Sequence, residues 1–195
     1  MQHPDTRTMQ PIALLLLAAV SAFQGGRGAQ SLESVVQAAV IDSLFVRDTT
    51  RQIVVGDSTV SGGTHFVDED YTSALRSLGP LPEGVQEDFE AKRGTVRRVD
   101  SLSTKVPMRR FTATDRAGLR GQGSPTSYWN AFYRRFPGSP GLVAISRVGF
   151  GRDGASALVL VEYGCGGLCG GTIYVLLAQQ SGRWRVTRTA QPRIA

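Results

Sequence analysis

Hydrophobic and polar residues alternate most regularly in the last third of the chain, and this pattern predicts β-strands. Apolar runs bounded by short Gly-containing turns predict strands over residues 142–150, 157–163, 172–179 and 183–189. Because short connections join neighbouring strands that run in opposite directions, these four strands are expected to form an antiparallel meander. The connection over residues 164–171 is unusual, because it contains five glycines and both cysteines of the chain.

Helical periodicity is found upstream of these strands. Ser31 is expected to cap an amphipathic helix over residues 32–45. Ser124 followed by Pro125 is a strong start signal for a helix over residues 126–136. Aromatic residues lie on one face of that helix, and they are Trp129, Phe132, Tyr133 and Phe136. We expect this face to pack on the sheet.

Weaker patterns predict the remaining elements. Short helices are expected over 70–78 and 82–92, short strands over 51–55 and 106–112, and exposed loops over 57–70 and 113–124. The whole pattern predicts an α+β fold, in which an antiparallel four-stranded C-terminal meander packs against an aromatic-faced helix, with further helices upstream.

The first residues have the layout of a secretory signal peptide. An apolar core over residues 11–20 precedes Val20 and Ala22, which stand at the −3 and −1 positions of a cut after Ala22; Ala29 marks a second candidate cut. The predicted organisation is a signal peptide over 1–22, a flexible leader over 23–30 and a single α+β domain over 31–195. No later apolar run approaches about 18 residues, so no transmembrane segment is expected in the mature form. The predicted location is periplasmic or extracellular.

The charge of the chain favours anionic surfaces over nucleic acid. The formal net charge is +6, and only two of the 22 basic residues are lysines. The arginines are scattered in pairs rather than clustered in one run, and an exported protein rarely meets nucleic acid. We therefore expect no nucleic-acid partner, and a mildly basic surface suited to anionic envelope polymers or lipid headgroups.

The two cysteines are candidates for a disulfide. Cys165 and Cys169 are four residues apart in a Gly-rich turn of a predicted exported protein, where a disulfide is the simplest pairing. Free or conditionally paired thiols are the alternative. A metal site would need two further soft ligands that the spacing does not supply, so none is predicted. The glycine-rich turn also lacks the Gly-Lys-Ser/Thr ending of a phosphate loop.

The residues that could support catalysis are few. After removal of a signal peptide His65 is the one histidine left, so any Ser-His-Asp or Cys-His arrangement would have to use it. Dispersed carboxylates offer the other chemistry, and the candidates are Asp57, Asp68, Asp70 and Glu162. No cofactor and no catalytic residue is predicted.

Several short motifs follow one another in the second half of the chain. They are Trp129-x-x-Phe132-Tyr133-x-x-Phe136-Pro137-Gly138-Ser139, Ser146-Arg147-Val148-Gly149-Phe150, Cys165-Gly-Gly-Leu-Cys169-Gly and Gly182-Arg183-Trp184. Together they resemble a family of exported bacterial proteins of unknown function, which implies a fold and a location but no catalytic residue. The helix, the meander and the closing Gly-Arg-Trp-Arg-Val are more weakly similar to nuclear-transport-factor-like and SnoaL-like cone domains. That similarity implies a cone mouth that binds small molecules.

Two hypotheses about function follow. The leading one is a non-enzymatic binding or accessory domain of a bacterial cell envelope, whose partner is an envelope protein, a polymer or a small ligand. Its candidate contact residues are Gly164, Gly166, Gly167, Leu168 and Gly170. The alternative is a small hydrolase or lyase with a cone-shaped pocket that uses acidic residues of the 57–70 loop.

Overall fold

The computed structural model describes residues 30–61, 68–121 and 123–194. They form five helices and one mixed, mostly antiparallel sheet of seven strands, which confirms the predicted α+β class. The elements in chain order are α1 (Leu32–Leu44), β1 (Ile53–Gly56), α2 (Asp68–Leu78), α3 (Val85–Arg93), β2 (Met108–Phe111), α4 (Ala113–Leu119), α5 (Pro125–Arg135), β3 (Leu142–Ile145), β4 (Gly149–Phe150), β5 (Ser156–Gly166), β6 (Cys169–Gln180) and β7 (Arg183–Ile194).

The strands lie in the order β2-β1-β3-β5-β6-β7, and β4 pairs separately with β5. β1 runs parallel to both of its neighbours, β2 and β3. The remaining pairs are antiparallel, from β3 with β5 to β6 with β7. The strands at the two ends of this order, β2 and β7, are the edges of the sheet.

One face of the sheet is covered by α1. Val36 and Val40 of α1 are completely buried in one cluster with Val159 of β5 and Val175 of β6. Ser31 caps α1 as predicted, since its side chain accepts a hydrogen bond from the Ser34 backbone N–H. The alternating apolar residues of the strands that point to this face therefore form the larger part of the core.

The opposite face is covered by two pairs of helices. Phe89 of α3 and Tyr71 of α2 pack on Leu158 and Tyr174 over the β5–β6 half of the sheet. The aromatic face of α5 packs over β1, β2 and β3 instead, in a cluster that contains Val54, Phe111, Phe132, Phe136 and Leu142. Because both faces are covered, β5 is buried continuously over residues 156–161 rather than alternately.

The strand predicted over 142–150 is divided, so this prediction was wrong in its extent. β3 ends at Ile145, and the next residue, Ser146, is completely buried. The Ser146 hydroxyl accepts a hydrogen bond from the Leu160 N–H at 2.9 Å and donates to the Arg147 carbonyl at 2.6 Å. A side chain thus replaces part of the backbone ladder, and the chain bends before β4 begins.

The prediction of an exposed loop over 113–124 was also wrong in part. Residues Ala113–Leu119 form α4, which begins with a capping box: the Thr112 hydroxyl accepts from the Asp115 N–H, and the Asp115 carboxylate accepts from the Thr112 N–H. This reciprocal pair satisfies two backbone donors at the start of the helix. Likewise, α2 begins at Asp68, within the predicted 57–70 loop.

The predicted signal peptide over 1–22 and residues 23–29 of the predicted leader lie outside the described residues, as does His65. In the part of the chain that the structure describes, no helix has both the length and the apolar character required to span a bilayer.

Candidate functional site

The hairpin formed by β5 and β6 ends in a much tighter turn than the sequence predicts. The first predicted strand ends at residue 163 and the second begins at residue 172, whereas the observed ladder continues to a pair between Gly166 and Cys169. Only Gly167 and Leu168 remain as the turn. The register shifts between Gly164 and Gly166, which indicates an irregularity at Cys165. We call residues 164–170 the hairpin tip.

The two cysteines close this tip covalently. The sulfur atoms of Cys165 and Cys169 lie at disulfide-bonding distance, and the Cα atoms are 5.0 Å apart. This separation is within the range that a disulfide spans without moving the backbone. The predicted pairing is therefore confirmed in its geometry. Since the bond joins residues only four apart, it determines the shape of the tip and ties no other element to it.

The aromatic helix α5 supports the hairpin tip from below. The Tyr133 hydroxyl donates a hydrogen bond to the Cys165 carbonyl oxygen at 2.9 Å. The Trp129 ring lies so close to Gly164 that a Cβ atom added there would be 3.0 Å from Cζ2 of the ring. Burial raises the pKa of Tyr133 above its usual value, so this hydroxyl remains a donor at physiological pH.

The predicted contact residues separate into supporting and exposed ones. Gly170 is buried, and Gly164 and Gly166 are partly buried. A Cβ atom at Gly164 would lie against the Trp129 ring, and one at Gly166 would lie 3.3 Å from the Cys169 Cβ, so these two glycines make room for neighbouring groups. Gly167 is exposed, and Leu168 is 92% exposed, which is the highest exposure of the large hydrophobic residues described. A large apolar side chain at the end of a braced hairpin is the part of the tip that is available for contact.

A groove adjoins the tip. It has a volume of about 420 Å³ and lies between α4 and the start of α5. Its lining residues are Arg116, Leu119, Arg120, Gly121, Gly123, Ser124, Pro125 and Tyr128. Pro125 connects the groove to the tip, since a Cβ atom added at Gly167 would lie 3.3 Å from the Pro125 Cβ. We call this space the α4–α5 groove.

The α4–α5 groove is electropositive. Arg116 and Arg120 are exposed, and neither forms an ion pair with any residue that the structure describes. The acidic residue on α4, Asp115, is buried and instead accepts hydrogen bonds from Thr112 and Arg135. Burial raises the pKa of Tyr128 while the nearby Arg116 opposes that shift, so the groove presents a neutral phenol beside a cation. The Arg116 guanidinium also lies 5.7 Å from the centroid of the Phe111 ring.

The predicted acidic residues lie in different elements of the chain. Asp57 is partly buried, and its carboxylate accepts a hydrogen bond from the adjacent Ser58 hydroxyl. Asp68 and Asp70 are in the first turn of α2, whereas Glu162 is partly buried on β5. Neither Asp57 nor Glu162 lines any of the grooves described here. No group of three or more potential metal ligands occurs among the described residues.

The largest groove described, about 620 Å³, lies between α2 and α3. Three polar side chains in its lining are hydrogen-bonded to one another. The Tyr71 hydroxyl donates to the Glu90 carboxylate at 3.0 Å, and the Gln86 amide donates to the same oxygen at 2.9 Å. Burial and the bond to Glu90 raise the pKa of Tyr71 far above its usual value. Tyr71 is therefore a hydrogen-bond donor to Glu90 at physiological pH.

Sequence reasoning found the hairpin tip but missed the groove beside it. The signal was present in Thr112-x-x-Asp115, a spacing typical of a capping box, which would have predicted α4 and hence a wall for the groove. The other wall, the start of α5, was predicted correctly.

No protein-family model, curated protein or solved structure matches this chain. The resemblance to exported bacterial proteins stays a prediction, and the function has to be argued from the tip and the groove themselves.

Proposed function

We propose that this protein is an exported, non-enzymatic binding or accessory protein of a bacterial cell envelope, and that the hairpin tip is its contact surface. The observation that carries the proposal is the exposure of Leu168 on a turn braced by a covalent cross-link and by α5. Transfer of an exposed apolar side chain from water into an interface with a partner lowers the free energy of the system.

The rigidity of the tip supports this proposal as much as its exposure. Binding costs conformational entropy when a flexible loop has to be ordered. Here the disulfide, the Tyr133 hydrogen bond and the Trp129 contact hold the backbone of the tip before any partner arrives. A preformed tip of this kind suits recognition by shape.

A photo-crosslinking experiment tests the contact surface. A photoreactive amino acid replaces Leu168 in one variant and Val96 in the other, because Val96 is also a large hydrophobic residue and is 60% exposed. Both variants are produced in the bacterium and irradiated in intact cells. We expect a discrete cross-linked product from position 168 and none from position 96. Equal labelling from both positions, or no product from position 168, would contradict the proposal.

The exported location is tested separately by N-terminal sequencing of the protein from the envelope fraction. We expect the mature chain to begin near Phe23 or Gln30. Retention of Met1 in the envelope fraction would contradict cleavage, and recovery of the protein from the cytoplasm alone would contradict export.

A further inference from the structure

We infer that the hairpin tip and the α4–α5 groove form one binding surface for an extended acidic segment of a partner protein, one that contains aliphatic as well as acidic residues. This inference rests on the proposed function and names the chemical class of the partner. It is argued from two guanidinium groups that have no carboxylate partner among the described residues, from the apolar residues that line the groove, and from the contact between the two parts at Pro125.

The charge of the groove selects a negatively charged partner. Arg116 and Arg120 are four residues apart, so both side chains leave the same side of α4 and its C-terminal cap. Both line the groove, and neither has a carboxylate partner within the described residues. Guanidinium groups bind carboxylates with two parallel hydrogen bonds when the partner approaches in plane. An acidic side chain would thus meet two cations that have no carboxylate partner among the described residues, and the Arg116 guanidinium lies 5.7 Å from the centroid of the Phe111 ring.

The apolar lining favours a polypeptide over an anionic polymer. Pro125, Leu119 and the ring of Tyr128 line the same groove, and Leu168 extends the apolar surface at the tip. Phosphate-rich polymers have no aliphatic side chains to cover these groups, whereas a peptide with alternating acidic and aliphatic residues has both. Gly121 and Gly123 leave open space where a Cβ atom would be, which allows a partner backbone to approach closely.

The surface is suited to an extended segment rather than a globular face. The groove is open at the surface, and Pro125 in its lining lies beside Gly167, the neighbour of Leu168 in the tip, so a single strand can reach both. A peptide of about 10 residues reaches roughly 30 Å when extended, enough to follow both parts. The tip then contacts an aliphatic side chain while Arg116 and Arg120 pair with acidic ones.

A displayed library of random peptides, each about 10 residues long, provides the test. The library is selected on the purified protein in its exported form. We expect enrichment of peptides that combine Asp or Glu with Leu, Ile or Val. Synthetic versions of the enriched peptides are then titrated by fluorescence anisotropy, together with versions in which every acid is replaced by its amide.

Charge variants connect the binding to the groove. Two exposed ion pairs contribute about 1 kcal/mol together, so Arg116→Gln/Arg120→Gln is expected to weaken binding about fivefold. Arg116→Lys/Arg120→Lys, which keeps the charge, should restore part of the affinity. Arg97→Gln/Arg98→Gln removes the same charge from an exposed pair elsewhere, and it should change the affinity less than twofold. Leu168→Ser should weaken binding through the tip.

Each other outcome overturns the inference. Enrichment of peptides without acids, no enrichment at all, or equal loss from the Arg97/Arg98 variant would show that the groove does not select acidic segments. Polyphosphate or phosphatidylglycerol vesicles that bind as strongly as the peptides, with the same dependence on Arg116 and Arg120, would assign the surface to anionic polymers or lipid instead. A specific cross-link from position 168 that Arg116→Gln/Arg120→Gln leaves unchanged would overturn this inference alone, and the proposed function would stand.

Discussion

Gly141 occupies a position next to the hairpin tip that admits no side chain. Its φ of 141° lies in the region that favours glycine, and an added Cβ atom would collide with the Gly164 carbonyl oxygen and lie 3.2 Å from the Cys165 Cα. We expect Gly141→Ala to lower the free energy of unfolding by about 2–4 kcal/mol, measured by urea denaturation.

The matched control for this substitution is Gly94→Ala. Gly94 has a φ of −80°, and a Cβ atom there would meet nothing within 4 Å. Alanine at this position is expected to change stability by less than about 1 kcal/mol, because it only restricts the unfolded chain. Equal stabilities of the two variants would contradict the close approach of Gly141 to the tip.

Asp115 connects α4 to α5, and its charge state should affect stability. Burial disfavours its ionised form, but the hydrogen bonds from Thr112 and Arg135 outweigh burial and hold the pKa of the carboxyl below its ordinary value. Because the pKa is lower in the folded state, the ionised carboxylate stabilises the fold. This stabilisation is complete above the unfolded pKa of about 3.9 and is lost as the pH falls through the folded value.

We therefore expect Asp115→Asn to cost about 1–3 kcal/mol of unfolding free energy at neutral pH. The difference from the unchanged protein should shrink as the pH falls below about 4. Chemical denaturation at a neutral and an acidic pH measures both values, with Asp48→Asn as the control because Asp48 is exposed. A difference that is independent of pH would contradict an ionised, hydrogen-bonded Asp115.

At the scale of the elements, loss of the disulfide should loosen the β5–β6 hairpin only at its tip. The cross-link closes a loop of five residues, whose closure entropy is worth about 2 kcal/mol. Cys165→Ser/Cys169→Ser is expected to lower the unfolding free energy by no more than this. Amide hydrogen exchange should become faster in residues 164–170 and remain unchanged in residues 156–161. Faster exchange throughout β5 and β6 would show that the disulfide holds more than the tip.

The sequence predicted those elements whose signals are local. Ser31 and the Ser124-Pro125 pair are helix starts that satisfy backbone donors within a few residues, and both helices begin where these signals stand. The turns before β5 and β7 likewise lie in the short Gly-containing connections that the pattern predicts, at Asp153-Gly154 and Ser181-Gly182, where Gly154 and Gly182 adopt positive φ.

The remaining features depend on partners that are distant along the chain. The parallel pairing of β1 with β2 and β3 has no signal in the local sequence, because the residue pattern of a four-residue strand does not depend on its position or direction in the sheet. The division at Ser146 depends on the Leu160 N–H, which only the folded sheet brings near. The α4 wall of the groove has a local signal in its capping box, but the packing of α4 against α5 has none, so the groove between them leaves no pattern in the sequence.

At the scale of the whole molecule, both edges of the sheet carry arginines. β2 at one edge contains Arg109 and Arg110, and β7 at the other contains Arg183 and Arg185. β7 also has two register irregularities against β6. Charged side chains and bulges hinder a second chain from adding a strand to an exposed edge. These arginines thus account for part of the net charge without requiring a ligand.

This interpretation predicts that Arg183→Thr/Arg185→Thr promotes self-association. Threonine favours strands, and the variant removes the repulsion between two β7 edges. We expect light scattering that rises with protein concentration for this variant, and scattering equal to that of the unchanged protein for Arg97→Thr/Arg98→Thr, which removes the same charge away from both edges. A β7 variant that scatters like the unchanged protein would assign the arginines another role.

The position of β1 also has a consequence for the order in which the chain folds. Both of its partner strands come later in the sequence, so a growing polypeptide holds Ile53, Val54 and Val55 without hydrogen-bond partners until residues 108–111 and 142–145 have been synthesised. Contacts between distant residues form slowly, and an unpaired apolar strand tends to aggregate. The N-terminal half therefore cannot complete its core during synthesis, and a holding chaperone that binds residues 53–55 would act in this interval.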